Sequence, residues 1–313
     1  MPNNDAVVVT GCTGAVGTAL LMRLAEAGHT VYAVLRPGSP RNADIPRHPC
    51  IVPVTCDLHE LGSLPALIGA PCAWFFHLAW GGTFGGARDD MPLQTQNIAA
   101  ALDAVEAAHA LGCRVFVGAG SQAEYGRTDA PLTPETPAFP ENGYGMAKLC
   151  AGQMTRKVCD RYGMTHIWMR ILSVYGPHDG ANTLVMSVLR ALLAGETPGC
   201  TEGAQIWDYL YSEDAARALY LAASRCERSA VYCLGSGEAR PLRDYITDMR
   251  DTAAPEGDVA FGARPYAPGQ VMYLTADLTA LTRDTGFVPQ VPFREGVRRT
   301  LEWIREGEAR SDG

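Results

Sequence analysis

Short apolar runs alternate with stretches of helical periodicity through the first half of the chain. Ala6-Val7-Val8-Val9-Thr10 is almost wholly apolar and β-branched, as a strand buried on both faces of a parallel sheet must be. Thr30–Leu35, Ile51–Cys56, Ala73–Ala79, Val115–Gly120 and His166–Ile171 repeat that character. Between them Thr18–Ala27, Gln94–Leu111 and the segment near 143–161 place apolar residues at helical spacing. In the second half, Thr183–Ala194, Glu213–Ala223 (with Ser212 as N-cap), Leu242–Thr252, Thr279–Thr285 and Phe293–Glu306 read as helices. The last carries Val297, Leu301 and Ile304 on one face. Val231–Leu234 reads as a strand that returns the chain to the sheet. Residues 255–270 read as a Pro/Gly-rich loop, and the end from Glu308 as frayed. There is no internal repeat and no long linker.

Gly11-Cys12-Thr13-Gly14-Ala15-Val16-Gly17 falls between the first strand and the first helix. In that position Gly11 permits a tight turn, Gly14 lets backbone approach a pyrophosphate, and Gly17 lets the helix pack close to the strand. Thr13, Ala15 and Val16 complete the turn, and the N–H groups of the helix start face an anion. The second strand ends at Leu35-Arg36, where an acid would hold the 2′-hydroxyl of NAD. A guanidinium there pairs with a 2′-phosphate. The cofactor expected is therefore NADP(H), helped by Ser39 and Arg41, with NAD(H) as the alternative. Asp57, followed by Leu58, stands ready at the end of the third strand to accept from the adenine amino group.

Gly143-Tyr144-Gly145-Met146-Ala147-Lys148 puts a phenol and an amine one helical turn apart. A lysine cation beside the phenol favours the phenolate, so Tyr144 can exchange a proton near neutral pH. Ser121 follows the fifth strand, at the carboxyl end of the sheet, where such sheets bind ligands. The glycine-rich loop from Trp80 to Gly86 is suited to lie over a cofactor or substrate. His77, inside an apolar run, reads as a core histidine.

Composition narrows the classes. The chain has 313 residues, 47% of them hydrophobic, and a formal charge of −8, so a basic face for nucleic acid is not expected. No apolar run approaches the ~18 residues of a membrane span. The chain passes from Met1-Pro2-Asn3-Asn4-Asp5 directly into a strand, so no leader is expected. Ten scattered cysteines without a C-x-x-C pair or a Cys/His ligand cluster predict free thiols in a reducing cytoplasm, and no metal site.

Taken in order, Gly11/Gly14/Gly17, Asp57-Leu58, His77-Leu78-Ala79, Asn97, Ser121, Tyr144/Lys148, Tyr175-Gly176-Pro177, Asn182 and Asp208-Tyr209 before Asp214 resemble the extended short-chain dehydrogenase/reductases. That is the family of nucleotide-sugar epimerases, dehydratases and ketoreductases. The resemblance covers nearly the whole chain. It implies an α/β fold with a Rossmann doubly wound parallel sheet over residues 1–172, completed by segments near 205–235. It also implies a smaller substrate-binding lobe, mainly 173–313, and a homodimer formed through the helices near 94–111 and 143–161. Tyr144 would exchange a proton with the substrate oxygen, Lys148 would hold the nicotinamide ribose, and Ser121 would bond the substrate oxygen. Asn97 would orient Lys148 through a water, and Leu78 and Ala79 would line the cofactor.

Departures from the family pattern refine the expectation. The dehydratases carry an Asp-Glu pair where this chain has Gln122 and Ala123, so dehydration is disfavoured. The stretch Tyr175-Gly176-Pro177-His178-Asp179 is similar to the GDP-fucose synthase branch, whose epimerising cysteine falls at Ala123 and whose histidine matches His178. Glu124 is an acid one position too late for the dehydratase base and reads as structural. Ser173 and Trp207 stand where relatives place an asparagine and an arginine on the diphosphate. A further arginine is replaced by Ala267, with Arg264 nearby. Trp80, Trp207, Tyr209 and Tyr211 would then line a flatter, more apolar pocket, although core packing is the expectation for the two tyrosines. The leading expectation is an NADP(H)-dependent reductase of a keto group on a nucleotide-linked 4-keto-6-deoxy sugar. The alternatives are a 4-epimerase with retained NAD, a dehydrogenase or reductase of a small non-nucleotide alcohol or ketone, and a non-catalytic dinucleotide-sensing protein.

Overall fold

The structure, a computed structural model, describes residues 5–311. Strands in chain order are β1 (Val7–Thr10), β2 (Val31–Leu35), β3 (Ile51–Thr55), β4 (Trp74–His77), β5 (Val115–Ser121), β6 (Thr165–Ile171), β7 (Ser173–Tyr175), β8 (Ile206–Trp207), β9 (Tyr209–Tyr211), β10 (Ala230–Leu234) and β11 (Arg240–Pro241). Helices are α1 (Ala15–Glu26), α2 (Leu64–Ile68), α3 (Met91–Ala110), α4 (Gly143–Tyr162), α5 (Leu184–Leu193), α6 (Ser212–Arg225), α7 (Leu242–Ala253), α8 (Thr279–Thr285) and α9 (Phe293–Ser311). Seven strands form one parallel sheet in the order β10-β6-β5-β4-β1-β2-β3. The chain winds outward from β1 in one direction and from β4 in the other. The crevice for a ligand therefore opens at the carboxyl ends of these two neighbours.

Alternation along each strand feeds two cores. Val7 and Val9 of β1 turn to the face covered by α1 and α6, packing with Leu20, Leu24, Ala218 and Leu219. Val8 turns to the opposite face, with Phe75, Phe116, Val105 and Cys159 beneath α3 and α4. The proline of β3, Pro53, is tolerated because β3 is an edge strand. A third core joins α5, α7 and α9 through Val188, Leu189, Met249, Val297 and Leu301, and this is the smaller lobe. Tyr209 and Tyr211 belong to it. The Tyr209 ring lies 5.2 Å from that of Tyr245 and 5.9 Å from that of Tyr175, so core packing is where these tyrosines go.

Two buried acids tie the lobe to the sheet. Asp208 is fully buried and accepts from Ser236 N (2.6 Å), Ser236 Oγ (2.7 Å), Gly237 N and Ala276 N (3.0 Å each). Asp214 accepts from Arg217 and from the backbone of Gln290 and Val291, all at 2.8 Å.

Several boundaries differ from the sequence expectation. α3 begins at Met91, because Pro92 sits in a first turn that needs no N–H donor and Asp90 caps it through Leu93 N at 3.1 Å. α9 runs to Ser311 rather than fraying from Glu308. Residues 312–313 and the expected leaderless start at 1–4 lie outside the described residues. Of the segments near 205–235 only β10 joins the large sheet. β8 pairs with β11 and β9 with β7. Seven of the ten cysteines are buried and all ten are unpaired. Among the described residues no helix is long and apolar enough to cross a membrane.

Asp208→Asn replaces one acceptor oxygen with an NH2 donor that faces buried N–H donors. We expect it to cost about 2–4 kcal/mol, read as a lower urea midpoint at unchanged slope. A cost within ~0.5 kcal/mol, the scatter of ordinary surface changes, would show that Asp208 does not hold the lobe.

Candidate active site

The glycine turn leaves room for a pyrophosphate. A Cβ at Gly11 would sit 2.6 Å from Ala79 N, and one at Gly17 would overlap the Gly11 carbonyl and Cys12, so both positions are sterically closed. Gly14 is different, since nothing lies within 4 Å of where its Cβ would be. Gly14 is also the N-cap of α1, and no side chain caps the helix. Open space and uncapped N–H groups at Gly14, Ala15 and Val16 fit a dinucleotide phosphate. Leu35 is buried, Arg36 beside it is exposed, and no carboxylate ends β2. Arg41 reaches back from the loop after β2 and donates to the carbonyls of Thr13 and His178, thereby spanning the turn and the lobe. Asp57 caps the short 3-10 helix after β3, accepting from His59 N at 3.0 Å. Leu58, Leu78 and Ala79 are half-buried at the carboxyl ends of β3 and β4, and Ala79 N donates to Thr10 Oγ1 at 3.3 Å.

The proton-handling groups meet where β5 gives way to α4. Ser121 ends β5 and caps a one-turn 3-10 helix, Gln122–Glu124. Its backbone N–H donates to Glu124 Oε1 at 2.8 Å, and its hydroxyl accepts from Ala123 N at 3.2 Å. Glu124 is wholly buried, and it also takes Trp168 Nε1 at 2.9 Å and Arg170 Nε at 2.6 Å. It therefore sets the turn that presents Ser121, the structural part expected of it. The start of α4 is pressed against the same turn, for a Cβ at Gly145 would overlap the Ala123 carbonyl. Asn142 caps α4 through Gly145 N at 2.9 Å. This close approach brings Tyr144 to Ser121, whose hydroxyl lies against the phenol and favours its ionised form.

Lys148 is 3% exposed. Its Nζ donates to the Ala119 carbonyl at 2.7 Å and lies 3.8 Å from the centre of the Trp80 ring. Trp80 is held in turn by Gln94 Oε1, at 2.8 Å from its Nε1, and stands edge-on to Tyr144. Trp80 thus covers the lysine. Asn97 spends its amide on the backbone of Gly81, donating to O and accepting from N at 2.9 Å each. It fixes the loop after β4. His77 is a core residue, its Nδ1 3.0 Å from Thr10 Oγ1. Burial and the nearby Lys148 charge push its pKa down to about 3.

Burial raises the Tyr144 pKa above the ordinary phenol value, while Ser121 and the Arg88 guanidinium pull it down. Lys148 Nζ lies 5.8 Å from the centre of the Tyr144 ring, and burial lowers its own pKa to about 7. Arg88, which the sequence did not single out, stands over the Tyr144 ring at 4.9 Å.

The substrate-side candidates separate. Gln122 is half-buried and Ala123 buried beside Ser121. Trp207 Nε1 donates to Ser173 Oγ at 2.9 Å, so the two departures from the family pattern are bonded to each other. His178 adopts φ 62, packs its ring on Trp303 at 4.9 Å, and borders a cleft lined by Met22, Tyr211 and Arg217 rather than by Ser121, Tyr144 or Lys148. Asn182 is exposed just before α5, and Arg264 is exposed in the lobe. Arg88 was the part missed, and a glycine-rich loop ending in Arg-Asp-Asp was its only signal.

A family model described as the NAD dependent epimerase/dehydratase family matches residues 7–235. A dTDP-glucose 4,6-dehydratase of Shigella flexneri is 30% identical over 181 residues, 55% of this chain and 50% of that one. The chain thus spans about half the length of the curated relatives it matches. A UDP-N-acetylglucosamine 4-epimerase from Methanobrevibacter ruminantium M1 superposes with a TM-score of 0.88 over 97% of this chain and 99% of that one, at 22% identity. MoeE5 in complex with UDP-glucuronic acid and NAD is 27% identical, with a TM-score of 0.84 over 96% of this chain and 99% of that one.

Glu124→Gln keeps the shape of the turn but leaves Arg170 buried without its counter-charge. We expect a loss of about 3–5 kcal/mol in chemical unfolding, with turnover falling alongside as Ser121 loosens. Unchanged stability would mean that the ion pair does not carry the turn.

Proposed function

The chain belongs to the NAD dependent epimerase/dehydratase family, and from that premise we propose an NADP(H)-dependent oxidoreductase that reduces a keto group of a nucleotide-linked sugar, most simply a 4-keto-6-deoxyhexose. The observation that carries this reading is the juxtaposition of Ser121 and Tyr144, with Lys148 buried one turn along α4. Bound nicotinamide supplies the hydride. Tyr144 gives its proton to the substrate oxygen as that oxygen gains charge. The Ser121 hydroxyl, placed by Glu124, donates to the same oxygen. Lys148, roofed by Trp80, is positioned to bond the nicotinamide ribose. Arg36, with no acid at the end of β2, favours a 2′-phosphate.

Dehydration, the reaction in the names of the curated relatives, finds no support at this site. Gln122 and Ala123 transfer no proton, and Glu124 is committed to three donors. A 4-epimerase with retained NAD uses the same Ser, Tyr and Lys and is the alternative that the structural neighbours support. Arg36 weighs against it. A dehydrogenase or reductase of a small non-nucleotide alcohol or ketone rests on Trp207 and Ser173, two uncharged side chains bonded to each other. A non-catalytic dinucleotide sensor would have no need of the Ser121–Tyr144–Lys148 set. We read α3 and α4, with Met146 and Met154 exposed on α4, as the face of a homodimer. A reducing, cytoplasmic setting suits ten unpaired thiols.

Calorimetric titration with NADPH and NADH, then with UDP, GDP, CDP and dTDP on the loaded protein, tests the reading. We expect NADPH to bind at least about tenfold tighter, a difference of about 1.4 kcal/mol, and Arg36→Asp to reverse the order. We also expect one diphosphate to be preferred. NADH winning brings the epimerase forward, and binding of no diphosphate removes the nucleotide-sugar class. Tyr144→Phe should lower turnover by about a hundredfold or more and leave NADPH affinity within about twofold. Full activity in that variant would remove Tyr144 from the chemistry.

A further inference from the structure

A single arginine spans the gap between the glycine turn and the lobe. Arg41 lies in the short 3-10 helix Pro40–Asp44 after β2, where Asn42 Nδ2 closes the loop by donating to the Arg36 carbonyl at 2.9 Å. From this base Arg41 Nη2 donates to two carbonyls, that of Thr13 in the glycine turn and that of His178 at 2.7 Å. The Thr13–Gly14 peptide is trans, so its carbonyl and the Gly14 N–H point in opposite directions. By holding the carbonyl, Arg41 fixes the direction of an N–H at the uncapped start of α1. At the other end, Gly176 to Asp179 form a β-turn closed by Asp179 N on Gly176 O at 3.3 Å. Pro177 takes its second position. His178 takes the third, at φ 62, where glycine is favoured. A histidine is strained there. Its ring packs on Trp303 of α9 at 4.9 Å, and its carbonyl is turned to Arg41. Asp179 then accepts from Gly180 N at 2.7 Å and from Thr183 Oγ1 at 2.8 Å, and Thr183 is the N-cap of α5. The turn held by Arg41 thus leads into α5 and α9, both part of the lobe core.

We propose that Arg41 is a positioning residue that couples the glycine turn to the lobe: an anion held at Gly14–Val16 strengthens the strap, and the strap fixes the segment 177–183 and the start of α5. The inference rests on the reading of the glycine turn as a dinucleotide site. Two effects act in the same direction. A phosphate oxygen that accepts from Gly14 N–H makes the Thr13 carbonyl a better acceptor across the same peptide. Its negative charge also draws the guanidinium toward the turn. Arg41 is exposed, so without the anion water competes for both of its bonds. Dinucleotide binding at one end of the sheet is therefore felt at a helix that carries none of the cofactor contacts.

Hydrogen–deuterium exchange in the full-length protein tests this without substrate or turnover. Saturating NADPH should slow the amides of residues 179–184 by about tenfold. In Arg41→Gln the slowing should shrink to within about twofold, with NADPH still binding in calorimetry and the thermal midpoint within about 2 °C. Arg41→Lys, which keeps a cation with three donors, should recover most of the slowing. Equal slowing in Arg41→Gln and in the unsubstituted chain overturns the proposal. So does a segment that bound NADPH leaves unaffected in the unsubstituted chain. Loss of all NADPH binding in Arg41→Gln makes Arg41 a direct cofactor ligand and overturns its coupling role. If NADH binds and NADPH does not, the cofactor reading falls, and the strap is judged by the slowing that NADH produces. If the slowing depends on Arg41 while none of UDP, GDP, CDP and dTDP binds, the role of Arg41 stands and the proposed substrate class falls.

Discussion

One buried carboxylate organises the centre of this molecule. Glu124 accepts from the Ser121 backbone, the Trp168 indole and the Arg170 guanidinium, so a single side chain joins the end of β5, the turn beyond it and β6. Its two oxygens satisfy three donors that would otherwise be costly to bury. The guanidinium supplies the opposite charge without which a carboxylate would not be stable there. The direction of the Ser121 hydroxyl, and the wall against which α4 docks, both follow from that arrangement.

Around it, charge is divided between the two sides of Tyr144. Lys148 lies beneath Trp80 and on the Ala119 carbonyl, in surroundings that weaken its charge. Arg88 lies across the ring face, on a loop held by α3 and α4. Further out, Trp207 and Ser173 satisfy each other, which gives that wall an aromatic plane in place of a cation. The site is therefore more strongly specified around the reacting oxygen than around whatever the substrate carries away from it.

The parts of the fold that were legible in the sequence are those governed by local rules. Short, nearly continuous apolar runs marked every strand of the large sheet, and the glycine turn, Ser121 and the Tyr144–Lys148 spacing were visible as patterns. β7, β8, β9 and β11 were not, because strands of two or three residues have no period to detect. The start of α3 was hidden by Pro92, which breaks helices in general but suits a first turn. The surroundings of Lys148 were not legible, since a helical wheel shows its neighbour and not the Ala119 carbonyl or the Trp80 ring. Arg88 lies in a loop without regular spacing, and only the folded chain brings it to Tyr144. Asn97 was singled out, but its bonding to Gly81 depends on how the loop after β4 folds back.

Trp168 shows how far such a centre reaches. A Cβ at Gly118, Gly120 or Gly152 would collide with its indole, so a residue of β6 dictates what β5 and α4 carry. The four positions are coupled in inheritance. A lineage that keeps the tryptophan has to keep all three glycines, while one that loses it is released at Gly118 and Gly152 but not at Gly120, whose Cβ would still meet Glu124 Oε1 at 2.6 Å. An alanine at position 118 or 152 would thus be a sign that the tryptophan had already gone.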